Sequence, residues 1–262
     1  CKSVAYRPTH RVTGTCTGPP FFHRAAMTRQ RRRNIIKARR TGTGIALVAA
    51  ISFIAGMTDA VGLYVSGDFV SFMTGNTTRA AVSMESGIYS HAAKLLFAIV
   101  AFVAGNTGGI VVAHKFDRRI FAVLMAVGGL VAIAALLRDE ASGLLQFYLV
   151  VFAMGMVNAA VEHIEGLPIG LTYVTGALSR FGRGIGRFLL GERSLDWGIQ
   201  IVPWLGMLTG AICGAVLGAT LHSDALWVVA ASVFAIAFAT LVIPRSLRQR
   251  YNQRVKIRRI AP

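Results

Sequence analysis

Acidic residues are scarce in this chain: 11 Asp and Glu stand against 28 Lys and Arg in 262 residues. Charge of either sign is thin, at 15%, where soluble domains carry nearer ~25%. That balance, with 54% hydrophobic residues, excludes an ordinary water-soluble domain. Cysteine is equally sparse. Cys1, Cys16 and Cys213 show no paired spacing and no CxxC, so neither a disulfide framework nor a metal site is expected. Glu162, His163 and Glu165 cluster only as a helix end would. No Ser-His-Asp set, P-loop or HExxH is found, and the reading is of a non-enzyme without a cofactor.

What the chain does have is long apolar runs, several of them near or above membrane length. Six spanning helices are expected, at about 44–66, 92–114, 119–137, 143–162, 199–221 and 225–243. The fold class is therefore all-α, a polytopic membrane protein, with its membrane domain over 44–245. Residues 1–43 read as a disordered basic tail and 246–262 as a basic cytoplasmic tail. Met27 heads a credible start, which makes 1–26 an upstream extension without function. Arg31, Arg32 and Arg33 resemble a twin-arginine signal, but the run behind them is too long for a signal and has no cleavage site.

Net charge of +17 would suggest nucleic acid in a soluble protein. Here 11 of the Lys and Arg lie before residue 44 and 7 after residue 244. They read as topology signals and contacts to anionic lipid. With both ends in the cytoplasm, 25 of the 28 fall inside and 2 outside, Lys94 lying at a helix edge. This predicts a plasma-membrane protein with six spans and both termini cytoplasmic.

The chain is organised around residues 54–80, IAGMTDAVGLYVSGDFVSFMTGNTTRA. A weaker copy follows about a hundred residues later. Gly56-Met57-Thr58-Asp59-Ala60 aligns with Gly155-Met156-Val157-Asn158-Ala159, and Thr74-Gly75 and Arg79 with Thr175-Gly176 and Arg180. Gly105 and Gly109 align with Gly206 and Gly210 at the offset of the TG pair. Each copy holds three spans, so the second enters the membrane from the other side. Two inverted three-helix repeats, 44–137 and 143–243, are expected.

Asp59 is a carboxylate near the middle of a span, which costs about 2.5–3.5 kcal/mol on insertion scales. It is either a proton or cation site or a clip to a neighbour such as Asn158 or Asn106. The stretch after helix one is too long for a hairpin and too apolar for a solvent loop. A re-entrant or broken segment is expected there and after helix four, with Gly75 and Gly176 supplying the turns; an interfacial amphipathic helix is the alternative. A half-helix starting at either turn would favour an anion, aided by Arg79 or Arg180. Asn76-Thr77-Thr78 also matches a sequon, a chance-level pattern. Gly206, Gly210, Gly214 and Gly218 clear one face of helix five for close contact, expected against helix two. Arg183, Arg187 and Arg193 with Phe181, Ile185, Phe188 and Leu189 read as a headgroup-contacting stretch.

At residues 56–79, GMTDAVGLYVSGDFVSFMTGNTTR resembles the signature of the YoaK-type family, six-helix membrane proteins defined by a domain of unknown function. GMVNAAV and GLTYVTGALSR are similar to its second-half signature. The resemblance covers about 44–245. It implies the six-helix architecture and supplies no substrate or catalytic residue.

The expected function is that of a secondary transporter or permease. Its central substrate site would hold Asp59, Thr74, Gly75, Asn76, Arg79, Asn158, Thr175, Gly176 and Arg180, and it would take a small solute, an anion being favoured, together with a proton or cation. The alternative is a non-transporting assembly or lipid-interacting protein.

Overall fold

A computed structural model describes residues 20–137, 142–160, 163–164, 167–168, 174–193 and 196–242. Much of the expected N-terminal extension (1–19) and the whole C-terminal tail from 246 lie outside the described residues. Two compact units divide the chain, Cys1–Thr41 and Gly42–Pro262. The described part of the first is helical backbone from Pro20, where a disordered tail was expected. Proline is tolerated in a first turn, and no further Pro or Gly occurs before Gly42 to break a run rich in Arg.

In the second unit the elements follow the apolar runs closely. α1 is Pro20–Ser66, of which Gly42–Ser66 is long and apolar enough to span. α2 is Met73–Glu85, α3 Tyr89–Lys115, α4 Arg119–Leu136 and α5 Gly143–Ala160. A two-residue antiparallel pairing joins His163–Ile164 to Leu167–Pro168. Then come α6 Val174–Leu189, α7 Val202–Leu221 and α8 Ala225–Ala239, with short stretches of tighter helix at Asp196–Ile201 and Thr240–Val242. Five of these are span-length and apolar; Gly143–Ala159 is a shorter apolar helix. The core is aliphatic: Ile51, Ile54, Met57 and Val61 of α1 pack with Val123, Val127 and Val131 of α4, Val151 and Met154 of α5, and Val229 and Val233 of α8. Outward faces stay apolar, as Phe97, Val100 and Val103 on α3 and Leu205, Ile212 and Val216 on α7 show. Such faces suit lipid rather than water.

The glycine rows set the closest helix contacts, and not the ones expected. Helices α3 and α7 do not turn their glycine faces to each other. On α7, Gly210 lies against the Phe53 carbonyl and Gly214 against the Met57 carbonyl of α1. On α3, Gly105 lies against the Phe152 carbonyl and Gly109 against the Met156 carbonyl of α5. The converse contacts also match: Gly56 of α1 faces Met207 and Ala211, and Gly155 of α5 faces Phe102 and Asn106. At Gly56, Gly105, Gly155 and Gly210 a β-carbon would collide with backbone, which cannot yield.

These contacts correct the alignment of the two halves. Phe53 and Phe152, Gly56 and Gly155, and Met57 and Met156 are each 99 positions apart. Gly105 and Gly210, Gly109 and Gly214, Phe102 and Met207, and Asn106 and Ala211 are each 105 apart. Gly105 therefore answers to Gly210, one helical turn beyond Gly206. Glycine repeats every fourth residue along α7, so the sequence alone leaves that register ambiguous by a turn.

Candidate functional site

After Ser66 the chain leaves α1 at Gly67, whose φ of 74° is one that side chains rarely adopt. Residues 67–72 then run without regular hydrogen bonding until α2 begins at Met73. A non-helical segment carrying Phe69, Val70 and Phe72 must find partners for its backbone. Three side chains singled out in the sequence supply them. Asp59 Oδ1 accepts N–H from Val70 at 2.8 Å and from Ser71 at 2.9 Å. Asn76 Nδ2 donates to the Phe69 carbonyl at 2.6 Å. Arg79 Nη1 donates to the Gly67 carbonyl at 2.8 Å. Asp59 is buried and its observed partners are backbone amides of its own half, not Asn158 or Asn106.

The turn and the half-helix fall differently from expectation. Thr74 and Gly75 lie in the first turn of α2 and Thr175 and Gly176 in that of α6. Gly67, not Gly75, makes the turn; Gly75 is glycine because the Phe72 ring fills the space of its β-carbon. A helix does start at the motif. The anion at its approach is the chain's own Asp59 carboxylate, bound by the amides just before the first turn.

A second carboxylate is the feature that sequence reading missed. Asp68 has a side chain only 2% exposed and is held by three basic groups. Lys94 Nζ lies 2.8 Å from Oδ2, His91 Nε2 3.0 Å from Oδ1, and Arg79 Nη1 3.3 Å from Oδ1. Lys94 also donates to the Ser66 carbonyl at 3.2 Å and sits 4.7 Å from the centre of the Phe147 ring. Tyr148 Oη of α5 donates to the Lys94 carbonyl at 3.3 Å. Burial pushes the Asp68 carboxyl up, but its hydrogen bonds to Lys94 and His91 and their charges outweigh this and hold it below the ordinary carboxylate range. The signal available in sequence was a lone Asp after Ser-Gly, with His91 and Lys94 one turn apart and so on one helical face.

His91 continues the series: its Nδ1 lies 2.9 Å from Ser83 Oγ. Asp68, Ser83 and His91 thus form the Ser-His-Asp arrangement that no motif announced, because the fold rather than spacing brings them together. An ionised carboxylate only accepts, so Nε2 carries a proton. Ser83 is buried, and Asp68 is shared with two permanent cations. The chain of bonds is suited to holding and passing a proton.

Among the described residues the second half shows no copy of this site; the broken segment expected after helix four, before α6, falls largely outside them, residues 169–173 included. Arg180 Nε donates to Gln200 Oε1 at 2.8 Å. Thr175 is exposed and Asn158 half-buried, its Nδ2 3.5 Å from the Met154 carbonyl. Trp197 covers Gly184 and meets the rings of Phe181 and Phe188. The structure therefore brings Asp59, Asn76 and Arg79 together around one segment, while Arg180 turns to a separate partner. Among the described residues no His, Cys, Asp and Glu group could hold a metal ion.

Comparison with known proteins adds the following. Residues 47–239 match a family described as a protein of unknown function, DUF1275. A curated relative, the UPF0700 transmembrane protein RA0705 of Rhizobium meliloti (strain 1021), is 54% identical over 227 residues, which is 87% of this chain and 99% of that one. No solved structure matches the chain. With its several apolar span-length helices, the chain is a multi-pass integral membrane protein.

Proposed function

The chain belongs to the DUF1275 family, and from that premise we propose that it is a secondary transporter or permease for a small solute. The YoaK-type likeness of its two signatures is part of the same proposal, as are a plasma-membrane location and cytoplasmic ends. The observation that carries it is the position-by-position correspondence of helix contacts between α1 with α7 and α5 with α3. An odd number of spans per half makes such halves inverted, and inverted repeats with interrupted segments at matching places are the arrangement of secondary transporters. In each half the first span lies against the second span of the other half, so the halves interlock. Tilting one against the other would then expose the first turns of α2 and α6 in turn.

The solute would sit between these helix starts, near Asn76, Arg79, Asn158 and Arg180, and an anion is favoured by the two arginines. The basic face of α6 would lie on anionic cytoplasmic headgroups. One observation favours the second reading, a non-transporting assembly or lipid-interacting protein: Asp59 spends Oδ1 on two backbone amides and so acts as a clip. Nothing in either reading asks for an enzyme or a cofactor.

Sidedness of thiol labelling tests the proposal. In a cysteine-free background, Thr74→Cys and Thr175→Cys would react with an impermeant reagent from opposite sides. A solute that is carried would raise one reactivity and lower the other. Labelling from one side only would contradict the inverted halves, and reactivities that never move with any solute would favour the non-transporting reading.

A further inference from the structure

We propose that His91 and Asp68 form a proton-binding site in this protein, and that this pair, not Asp59, carries the coupling proton of the transport cycle. The coupling role rests on the transporter reading; the proton site itself does not.

The geometry allows both protonation states without moving heavy atoms. In the neutral state His91 Nε2–H donates to Asp68, at 3.0 and 3.1 Å from its two oxygens, and Nδ1 accepts from the Ser83 hydroxyl at 2.9 Å. In the charged state Nδ1–H donates instead, and the same hydroxyl turns to accept. Serine can do either, since its oxygen is both donor and acceptor. Both states keep a partner on each ring nitrogen, so the proton exchanges with little movement of the ring.

Access points the same way. The His91 side chain is 30% exposed and that of Asp68 2%. A proton from water therefore meets the imidazole first, and the buried carboxylate is what favours its staying. The other groups facing the pair are Arg79 from α2, Lys94 from α3 and, through the Lys94 carbonyl, the Tyr148 hydroxyl from α5. The two cations oppose a third positive charge and keep the proton exchangeable. Gaining it takes the cluster from one net positive charge to two, which favours an anion arriving beside the exposed side of Arg79. Asp59 lacks these features: it is buried, and its bound partners are amides that do not titrate.

Asp68 also belongs to the non-helical segment that Asp59 holds from the other end. Proton binding at His91 is thus felt by the segment expected to move, through a single carboxylate.

The test is histidine-labelled full-length protein in nanodiscs, followed by NMR across pH. The expected result is one imidazole resonance that moves with pH and is absent in His91→Gln. In Asp68→Asn, which removes the carboxylate beside Nε2, that movement shifts to lower pH. Ser83→Ala, which removes no charge, perturbs the same resonance and identifies it should His91→Gln fail to fold. A His91 that does not titrate, or a midpoint unmoved by Asp68→Asn, overturns the site. Solute-driven proton flux that survives His91→Gln overturns the coupling role. A His91 that titrates as expected in a protein showing no flux supports the site and refutes the transporter reading.

Discussion

Lys94 of α3 donates a hydrogen bond of 2.8 Å to Asp68, 26 positions earlier in the chain. That contact pins the non-helical segment after α1 against α3. Removing Lys94 leaves a buried carboxylate short of its closest donor, so Lys94→Met is expected to cost about 1–3 kcal/mol. Arg79→Gln removes a longer contact from a side chain 40% exposed, and its loss is expected to stay within ~1 kcal/mol. Thermal unfolding in one detergent orders the two variants; an equal or reversed order contradicts the ranking.

The same carboxylate sets an acid limit. Its folded-state pKa lies below the ordinary value, so its contribution is full above the ordinary carboxylate range and is lost as pH falls through the lowered folded value. Melting temperature of the wild type should therefore decline below about pH 4. Asp68→Asn, less stable near neutral pH, should lack that part of the decline. Parallel curves for the two proteins in acid would show that Asp68 does not supply it.

Glycine contacts give a prediction about both halves at once. Gly105→Ala and Gly210→Ala each force a β-carbon onto a carbonyl of the facing helix, and both are expected to destabilise by about 1–3 kcal/mol, occasionally more. Gly129 of α4 has open space where its β-carbon would stand. Gly129→Ala is expected to be neutral or stabilising by up to ~1 kcal/mol. Melting of the three variants checks the pattern, and a tolerated Gly105→Ala beside a damaging Gly210→Ala would break the correspondence between halves.

Much of this architecture is legible in sequence, since span length and apolar composition are local properties. Helices α3, α4, α7 and α8 fall within a few residues of their apolar runs. The register between halves is not legible, because Gly206, Gly210, Gly214 and Gly218 offer the same spacing at each turn and only the facing carbonyls choose among them. The site divides along the same line. Asp59 stands out as a charge inside an apolar run. Asp68 lies in what reads as a loop, and its partners come from α2 and α3. Ser83 looks like any helix serine until His91 is placed beside it.

Asp59 offers a direct comparison between its two roles. Asp59→Asn keeps an acceptor of the same shape for the Val70 and Ser71 amides, and Asp59→Leu keeps none. If Asp59 is a clip, the Leu variant loses about 1–3 kcal/mol relative to Asn through unpaired amides, and the Asn variant keeps whatever proton coupling the wild type has. Loss of coupling in Asp59→Asn with stability unchanged would return the proton to Asp59.

The most direct measurement is proton flux into liposomes holding the purified protein, driven by gradients of small organic anions and cations in turn. Flux is expected for one class, anions, retained in Asp59→Asn and lost in His91→Gln. Absence of flux for every solute, from protein shown to be folded and inserted, would contradict it and leave the helix clasp and its carboxylates as elements of a membrane assembly.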